Sequence, residues 1–357
     1  MENVFIIAEA GVNHNGELEK ALELVDVAAD AGADAVKFQT FNAERLAAMS
    51  APKASYQKDT TDAEESQFEM LRQLELPAAW HETLQERAHD RGMEFLSTAF
   101  DLQSLAFLES INLPRYKIPS GEITNGPLLW QFAQTGKDLI LSTGMSTLGE
   151  IELALAILAH GVVHETEPQG LEEVWRHWSE PQSADVLQGK LTLLHCTSRY
   201  PTPMEDVNLR AMDTLQGAFG LPAGYSDHTQ GLLVPVAASA RGATVIEKHF
   251  TLDRELPGPD HRASLEPHEL VEMVEQIRST SQALGNGRKH PQSGEWDTRG
   301  AARQQIIAAE RIQAGESFSR DSLTTARCGG GQPPYSLWGL VGTRAQQDFS
   351  PGDPVPE

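Results

Sequence analysis

Eight short apolar runs, separated by stretches with helical spacing, restrict this chain to very few folds. The runs are Val4–Ala8, Ala35–Phe38, Glu94–Ser97, Arg115–Ile118, Asp138–Leu141, Leu191–His195, Ala223–Ser226 and Thr244–Glu247. Between the first two, Leu18, Ala21, Leu22, Leu24, Val25, Val27 and Ala28 recur at helical spacing over Glu17–Ala31, and Gly32 supplies a stop. Strands alternating with helices form either a closed (β/α)8 barrel or an open doubly wound sheet. A count of eight, with a polar residue at the C-terminal end of nearly every run, favours the α/β barrel of TIM type. Both folds place their chemistry at the C-terminal edge of the strands.

The barrel fits residues 1–284 of the 357, close to the roughly 250 residues that such a domain uses. Phe41 to about Gln67 is a long connection after the second strand, long enough for a substrate lid. Gly161–Lys190 is an acidic insert with Trp175 and Trp178. It carries a helix near Gly170–Trp178 and reads as a surface elaboration remote from chemistry. Residues 285–301, rich in Gly and Pro at the start, read as a linker. Residues 302–357 change rhythm to short β-like pieces and Gly turns, a small β-rich second domain that at this size needs a docking surface for full stability.

Acidic residues outnumber basic ones 51 to 28, a formal charge of -23. That charge repels phosphate backbones and excludes nucleic acid as a partner. Only two cysteines occur, Cys196 and Cys328, too few for a disulfide framework or a Cys-rich metal site. Cys196 closes an apolar run and reads as a core thiol, and the chain fits a reducing cytoplasm. The first residues, MENVFIIAEAGVNHNG, lack a basic leader and meet Glu9 after a short apolar run, so neither a signal peptide nor a membrane span is expected there.

The ends of the runs hold the chemistry. Ser226-Asp227-His228 and Glu247-Lys248-His249 close the last two strands, one strand-helix unit apart. Neighbouring strands lie about 4.8 Å apart, so His228 and His249 can share a metal ion. Two histidines leave positions open for water and substrate oxygen, which describes a catalytic ion acting on a carbonyl and favours Mn²⁺ (Mg²⁺ or Co²⁺ as alternatives) over a closed zinc site. Lys37 and Lys117, with Thr98, Ser120 and Ser142, form a cationic, hydroxyl-rich set suited to a phosphate or carboxylate. Strand eight closes on strand one in a barrel, so Glu9 borders His249 as a third ligand or a base. His14 is a weaker candidate for substrate contact, and His195 and His261 read as structural.

The segments IAEAGVNHNG (7–16), KFQT (37–40), YKIPSGEITN (116–125), LSTGM (141–145), HCTSRYPTP (195–203), GYSDHT and IEKHFTLD together resemble the sialic acid synthase family, whose bacterial members include N-acetylneuraminate and N,N'-diacetyllegionaminate synthases and spore-coat polysaccharide proteins. The C-terminal segment is similar to the family's antifreeze-like (SAF) domain. The resemblance implies a TIM barrel plus SAF domain in a domain-swapped homodimer. It implies condensation of phosphoenolpyruvate with an N-acetylated mannose-type sugar to a nonulosonic acid and phosphate. By the same resemblance His228 and His249 are metal ligands. Lys37, Thr98, Lys117, Ser120, Ser142 and Ser226 surround phosphoenolpyruvate. Glu9, Gln39, Tyr200, Glu247 and Asp260 lie near the sugar or the reacting centre, and Arg327 reaches the sugar's acyl group from the partner.

Under that chemistry Glu9, Glu122 and Glu247 are the catalytic carboxylates, with Glu9 and Glu122 the candidates for moving protons and positioning water. The chain departs from the family pattern at Arg327-Cys328-Gly329-Gly330-Gly331, where Arg-Pro-Gly-Asn-Gly is frequent, at Ala99, where Pro is usual, at Ser198, and in the longer 161–190 connection. Two other readings are a phosphoenolpyruvate-dependent 3-deoxy-octulosonate or heptulosonate phosphate synthase and a non-catalytic sugar-binding barrel. The SAF-like tail and the paired histidine motifs weigh against the first, and the intact Lys, Glu and His set against the second.

Overall fold

A computed structural model describes residues 4–53, 57, 61 and 65–357. Eight parallel strands close into a barrel in sequence order: β1 Phe5–Gly11, β2 Ala35–Thr40, β3 Glu94–Ala99, β4 Arg115–Ile118, β5 Asp138–Ser142, β6 Leu191–His195, β7 Ala223–Asp227 and β8 Val245–His249. Each expected run becomes a strand, and β1, β2, β3, β5, β7 and β8 run one to three residues further toward their C-terminal ends. Those extra residues are polar or small, so apolar patterning stops short of them, although the barrel ladder continues to carry their backbone hydrogen bonds.

Strand alternation separates two cores. One face of each strand packs on the helices through residues such as Ile6, Ala8, Val36, Phe38, Phe95, Tyr116, Leu141, Leu193 and Ile246. The other face fills the lumen with Ile7, Ala35, Leu96, Ile140, Leu194 and Val245. Two residues further along each strand the lumen turns polar, because the same inward positions now hold Glu9, Lys37, Thr98, Lys117, Ser142 and Glu247. The apolar layer beneath is a floor on which those groups stand.

Residues Met1–Asn286 form one compact unit and Gly287–Glu357 a second. The second holds an antiparallel pair, β9 Gln305–Ala308 and β10 Leu323–Ala326, around its own core of Ile306, Ile312, Phe318, Leu323, Phe349 and Val355. The stretch expected as a linker is structured toward its end: a 3-10 turn at Ser293–Glu295 leads into a helix over Trp296–Ala302. The Gln292 side chain and Glu295 form a reciprocal capping box at that start, a local signal that Gly/Pro composition hides.

The 161–190 insert carries the expected helix at Leu171–Trp178, followed by a 3-10 turn at Ser183–Leu187. The helix before it, Leu148–Val163, extends into the insert's first residues. The expected lid, 41–67, lies partly outside the described residues; within it Ala43–Leu46 is helical, capped by Asn42. Among the described residues no helix is long and apolar enough to cross a membrane.

Candidate active site

At the C-terminal mouth of the barrel lies a cavity of about 560 Å³. Glu9, Lys37, Gln39, Thr98, Lys117, Ser120, Glu122, Ser142, Tyr200, Ser226, His228, Glu247, His249 and Asp260 all line it. Arg327 is the one candidate in the other unit, where it lies exposed just after β10.

The deepest layer is a buried charge cluster. Lys37 Nζ lies 2.6 Å from Glu9 Oε2 and 3.5 Å from Glu247 Oε2, and it donates to Thr98 Oγ1 at 3.0 Å. Lys117 Nζ donates to Glu247 Oε1 at 2.9 Å, and Ser226 Oγ donates to the same oxygen at 2.8 Å. Register explains the meeting: Glu9 pairs with Lys37 across β1 and β2, Thr98 with Lys117 across β3 and β4, and Ser226 with Glu247 across β7 and β8. Glu247 thus spans the lumen to touch cations from the opposite wall.

The two carboxylates are tuned apart. Burial works against ionisation of Glu247, but Lys117 and Lys37 outweigh it and hold the group well below the usual carboxylate range. Burial pushes Glu9 up to about 7; Lys37 opposes that shift and the Glu247 charge adds to it. At neutral pH Glu247 is therefore an anion, while Glu9 holds a proton far more readily than an ordinary carboxylate. That separation is characteristic of acid-base sites.

Above this layer stand the two imidazoles, with ring centroids 5.6 Å apart. His228 Nδ1 lies 2.8 Å from the Thr197 carbonyl oxygen. A donor is required at that nitrogen, so the lone pair sits on Nε2. His249 Nδ1 is buried with no hydrogen-bond partner among the described residues, and Asp260 Oδ2 stands 3.9 Å away. Burial holds His228 down at about 4 and His249 well below its ordinary value, so both are neutral near pH 7, the form that binds metal. Burial raises Asp260 to about 6. Two neutral imidazoles with free lone pairs and a nearby carboxylate fit a divalent ion that needs oxygen ligands elsewhere. The Tyr200 ring packs on His228 at 4.1 Å between centroids.

The β4 and β5 ends form a cradle. Gly144 N donates to Ser120 Oγ at 2.9 Å, and Ser142 Oγ is buried without a partner among the described residues. A Cβ at Gly144 would sit 2.5 Å from Ser198 Oγ and 2.9 Å from both Ser120 Oγ and Cys196 Sγ, so only glycine leaves this corner open. Cys196, expected as a core thiol, is buried but lines the cavity beside Ser120. Glu122 stands at the rim in the 3-10 turn after β4 and accepts from Asn125 Nδ2 at 2.7 Å.

His14 does not reach the cavity. A bulge between Glu9 and Gly11 turns the chain, and the His14 ring is fully buried against Phe38 and Trp80. His195 and His261 make structural bonds, to the Val207 carbonyl at 2.9 Å and to Thr251 Oγ1 at 2.7 Å. Sequence reasoning passed over Asp227 and Lys248, the middle letters of the two histidine motifs. They lie on the outer face of β7 and β8, fully buried, with Lys248 Nζ 2.6 Å from Asp227 Oδ2. Charged residues at matching positions of adjacent strands were the available signal.

Comparison with known proteins places the chain in a family. The NeuB family profile matches residues 24–289 and the SAF domain profile residues 303–357. The chain is 45% identical to the N,N'-diacetyllegionaminic acid synthase of Legionella pneumophila over 98% of this chain and 92% of that protein. It is 43% identical to the Campylobacter jejuni protein of the same name over the full length of both. Among solved structures, the N-acetylneuraminic acid synthetase of Leptospira borgpetersenii superposes with a TM-score of 0.67 at 35% identity, covering 84% of this chain and 90% of that one.

Proposed function

The chain belongs to the NeuB family and carries a SAF domain, and from that premise we propose that it condenses phosphoenolpyruvate with an N-acetylated mannose-type sugar to a nonulosonic acid and phosphate. The observation that carries the reading is the stacking of a Lys37–Glu9–Glu247–Lys117 cluster beneath two neutral, metal-competent histidines in one cavity. Because the relatives at 43–45% identity are named for diacetyllegionaminic acid, a 2,4-diacetamido-6-deoxy sugar is the first acceptor to test.

In this reading Lys37 and Lys117 hold the carboxylate and phosphate of phosphoenolpyruvate, with Thr98, Ser120, Ser142 and Ser226 completing its hydrogen bonds. Gln39, Tyr200 and Asp260 orient the open-chain sugar so that its aldehyde carbon faces the enol methylene. A Mn²⁺-like ion held by His228 and His249 supplies polarisation of the aldehyde when bound. The methylene carbon forms the new C–C bond, water adds at the enol carbon, and the tetrahedral species expels phosphate to leave the α-keto acid. Glu9, poised near 7, holds and returns the proton. Glu122 positions the water. Glu247 stays ionised and acts by orienting both lysines.

The proposal includes a homodimer in which one chain's SAF domain brings Arg327 to the other's barrel, and a cytoplasmic location in keeping with two free cysteines. The test is phosphate release from phosphoenolpyruvate with the diacetamido sugar, N-acetylmannosamine, arabinose 5-phosphate and erythrose 4-phosphate as acceptors. Release with an N-acetylated sugar, abolished by His228→Ala or EDTA, is expected. Turnover only with the sugar phosphates, or undiminished turnover in metal-free buffer, would overturn it.

A further inference from the structure

The acidic insert, which the proposed reaction does not use, holds a cluster with the make-up of a metal site. His160 and His164 lie four residues apart at the end of the helix Leu148–Val163, and His177 comes from the helix Leu171–Trp178. One nitrogen from each can be chosen so that all three lie within 4.8 Å of one another. The rings pack at centroid separations of 4.3, 5.6 and 5.0 Å. Among the described residues this is the one group of three ligating side chains so close together.

Three features separate it from a chance aromatic cluster. First, Nδ1 and Nε2 of His160 and Nδ1 of His177 are all buried without a hydrogen-bond partner among the described residues. Each buried, unsatisfied nitrogen costs roughly 1–3 kcal/mol, and an ion bound to one nitrogen of each ring removes that nitrogen's share of the cost. Second, the backbone around the cluster is held in place. A Cβ at Gly161 would sit 2.7 Å from Ala133 Cβ, so the helix end presses directly on the helix Gly126–Gln134, and Gln134 Nε2 donates to the His164 carbonyl at 2.8 Å. Third, the charge environment suits a cation. Glu173 acts electrostatically on His160 and Glu180 on His177, so two carboxylates stand near the rings.

We propose that His160, His164 and His177 form a second metal site, structural and selective for Zn²⁺, that fastens the 161–190 insert to the barrel. His160 in the last turn of one helix, His164 at its extended C-cap and His177 from a second helix supply three imidazoles, a donor set that suits zinc. A tetrahedral site with Zn–N bonds of about 2.05 Å needs nitrogens about 3.3 Å apart, so the rings close by at most about 1.5 Å on binding. The fourth position falls to water or to a carboxylate of Glu173 or Glu180. The ion adds a tie between the end of one barrel helix and an insert that also packs on the core through Val174, Trp178, Val186 and Leu187 and through hydrogen bonds such as Trp178 Nε1 to Glu152 at 3.2 Å.

The test uses the full chain, stripped with chelator and reloaded with Zn²⁺. Metal analysis after desalting is expected to find one more equivalent in the wild type than in His177→Ala or in His164→Ala, which alters the least buried member. In a His228→Ala/His249→Ala background, where the barrel pair is lost, one equivalent is expected to persist. There Zn²⁺ is expected to slow tryptic cleavage at exposed Arg176 by roughly tenfold or more, and Mg²⁺ to have no effect. Equal zinc content in the wild type and both single variants, or no zinc and no protection in the double variant, would overturn the proposal. None of these readouts depends on the identity of the sugar or on synthase activity.

Discussion

Lys117→Met separates the structural work of the charge cluster from its work on substrate. In the folded barrel Lys117 Nζ lies 2.9 Å from Glu247 Oε1, while Lys37 lies 3.5 Å from the other oxygen. At an effective dielectric of about 20, those contacts are worth roughly 6 and 5 kcal/mol of gross attraction. Removing Lys117 also removes the cost of burying it, and Glu247 keeps Lys37 and Ser226. The net loss should therefore fall near about 2.5 kcal/mol, below the usual range for breaking a buried pair. For a unit of this size that lowers Tm by roughly 5 °C. Glu247→Gln alone should cost a similar amount, since it strands Lys117. The double variant Lys117→Met/Glu247→Gln leaves only the Lys37–Glu9 pair and should lose about 2 rather than 5 kcal/mol, a coupling of about 3. Phosphoenolpyruvate loses a charged contact in both variants that lack Lys117, so its KM should rise roughly 10- to 100-fold in the single and stay raised in the double. Urea denaturation and initial-rate kinetics read the two quantities separately. Additive stability losses would refute the cluster as a coupled unit. A KM restored in the double variant would show that Lys117 acts only through Glu247.

Three further outcomes are expected. Glu9 has a folded-state pKa raised from 4.5 to about 7, so its neutral form contributes stability that is complete below about 4.5 and is lost as pH rises through about 7. Tm measured across that interval should fall more steeply for the wild type than for Glu9→Gln, by a free-energy difference on the order of 3 kcal/mol, and an equal or opposite slope would contradict the assignment. Gly144→Ala puts a methyl group into the corner between Ser120, Cys196 and Ser198 and should raise the phosphoenolpyruvate KM by roughly tenfold with little change in the sugar KM; unchanged kinetics would remove that corner from the anion site. Lys248→Met leaves Asp227 buried with Thr229 as its remaining partner and should cost about 3–5 kcal/mol by urea denaturation, whereas a loss under about 1 would mean that the pair is not holding the strands.

The barrel was legible because its signal is local: eight runs, each of the right length, with turns between them. The convergence of the candidate residues on one cavity was legible for the same reason, since inward positions at strand ends follow from alternation once the strands are known. His14, the weaker candidate for substrate contact, stays outside the cavity because the bulge before Gly11, whose φ of 54° lies in the left-handed region, sends the chain away from the lumen. The helix in the 285–301 stretch was hidden by composition, because a single capping box outweighed the Gly and Pro before it. The spacing of His160 and His164 was visible, but His177 joins them only through the packing of two helices, which no window of sequence contains. The raised Glu9 and the suppressed Glu247 were likewise beyond reach, because Glu9 depends on burial and on charges from β2, β4 and β8, and Glu247 on Lys117 and Lys37 from β4 and β2 and on the Ser226 hydroxyl from β7.

The two tripeptides at Ser226–His228 and Glu247–His249 have an outer side that bears on folding. Asp227 and Lys248 stand directly opposite each other on β7 and β8, between residues that point into the lumen. Sliding either strand by one residue would turn its imidazole toward the helices and bring one member of the ion pair into the barrel, away from its counter-charge. The error would be electrostatic as well as steric, and it would arise at the strand ends, where the apolar pattern no longer enforces alignment. The Asp227–Lys248 contact thus acts as a proofreading mark for the alignment on which both imidazoles depend.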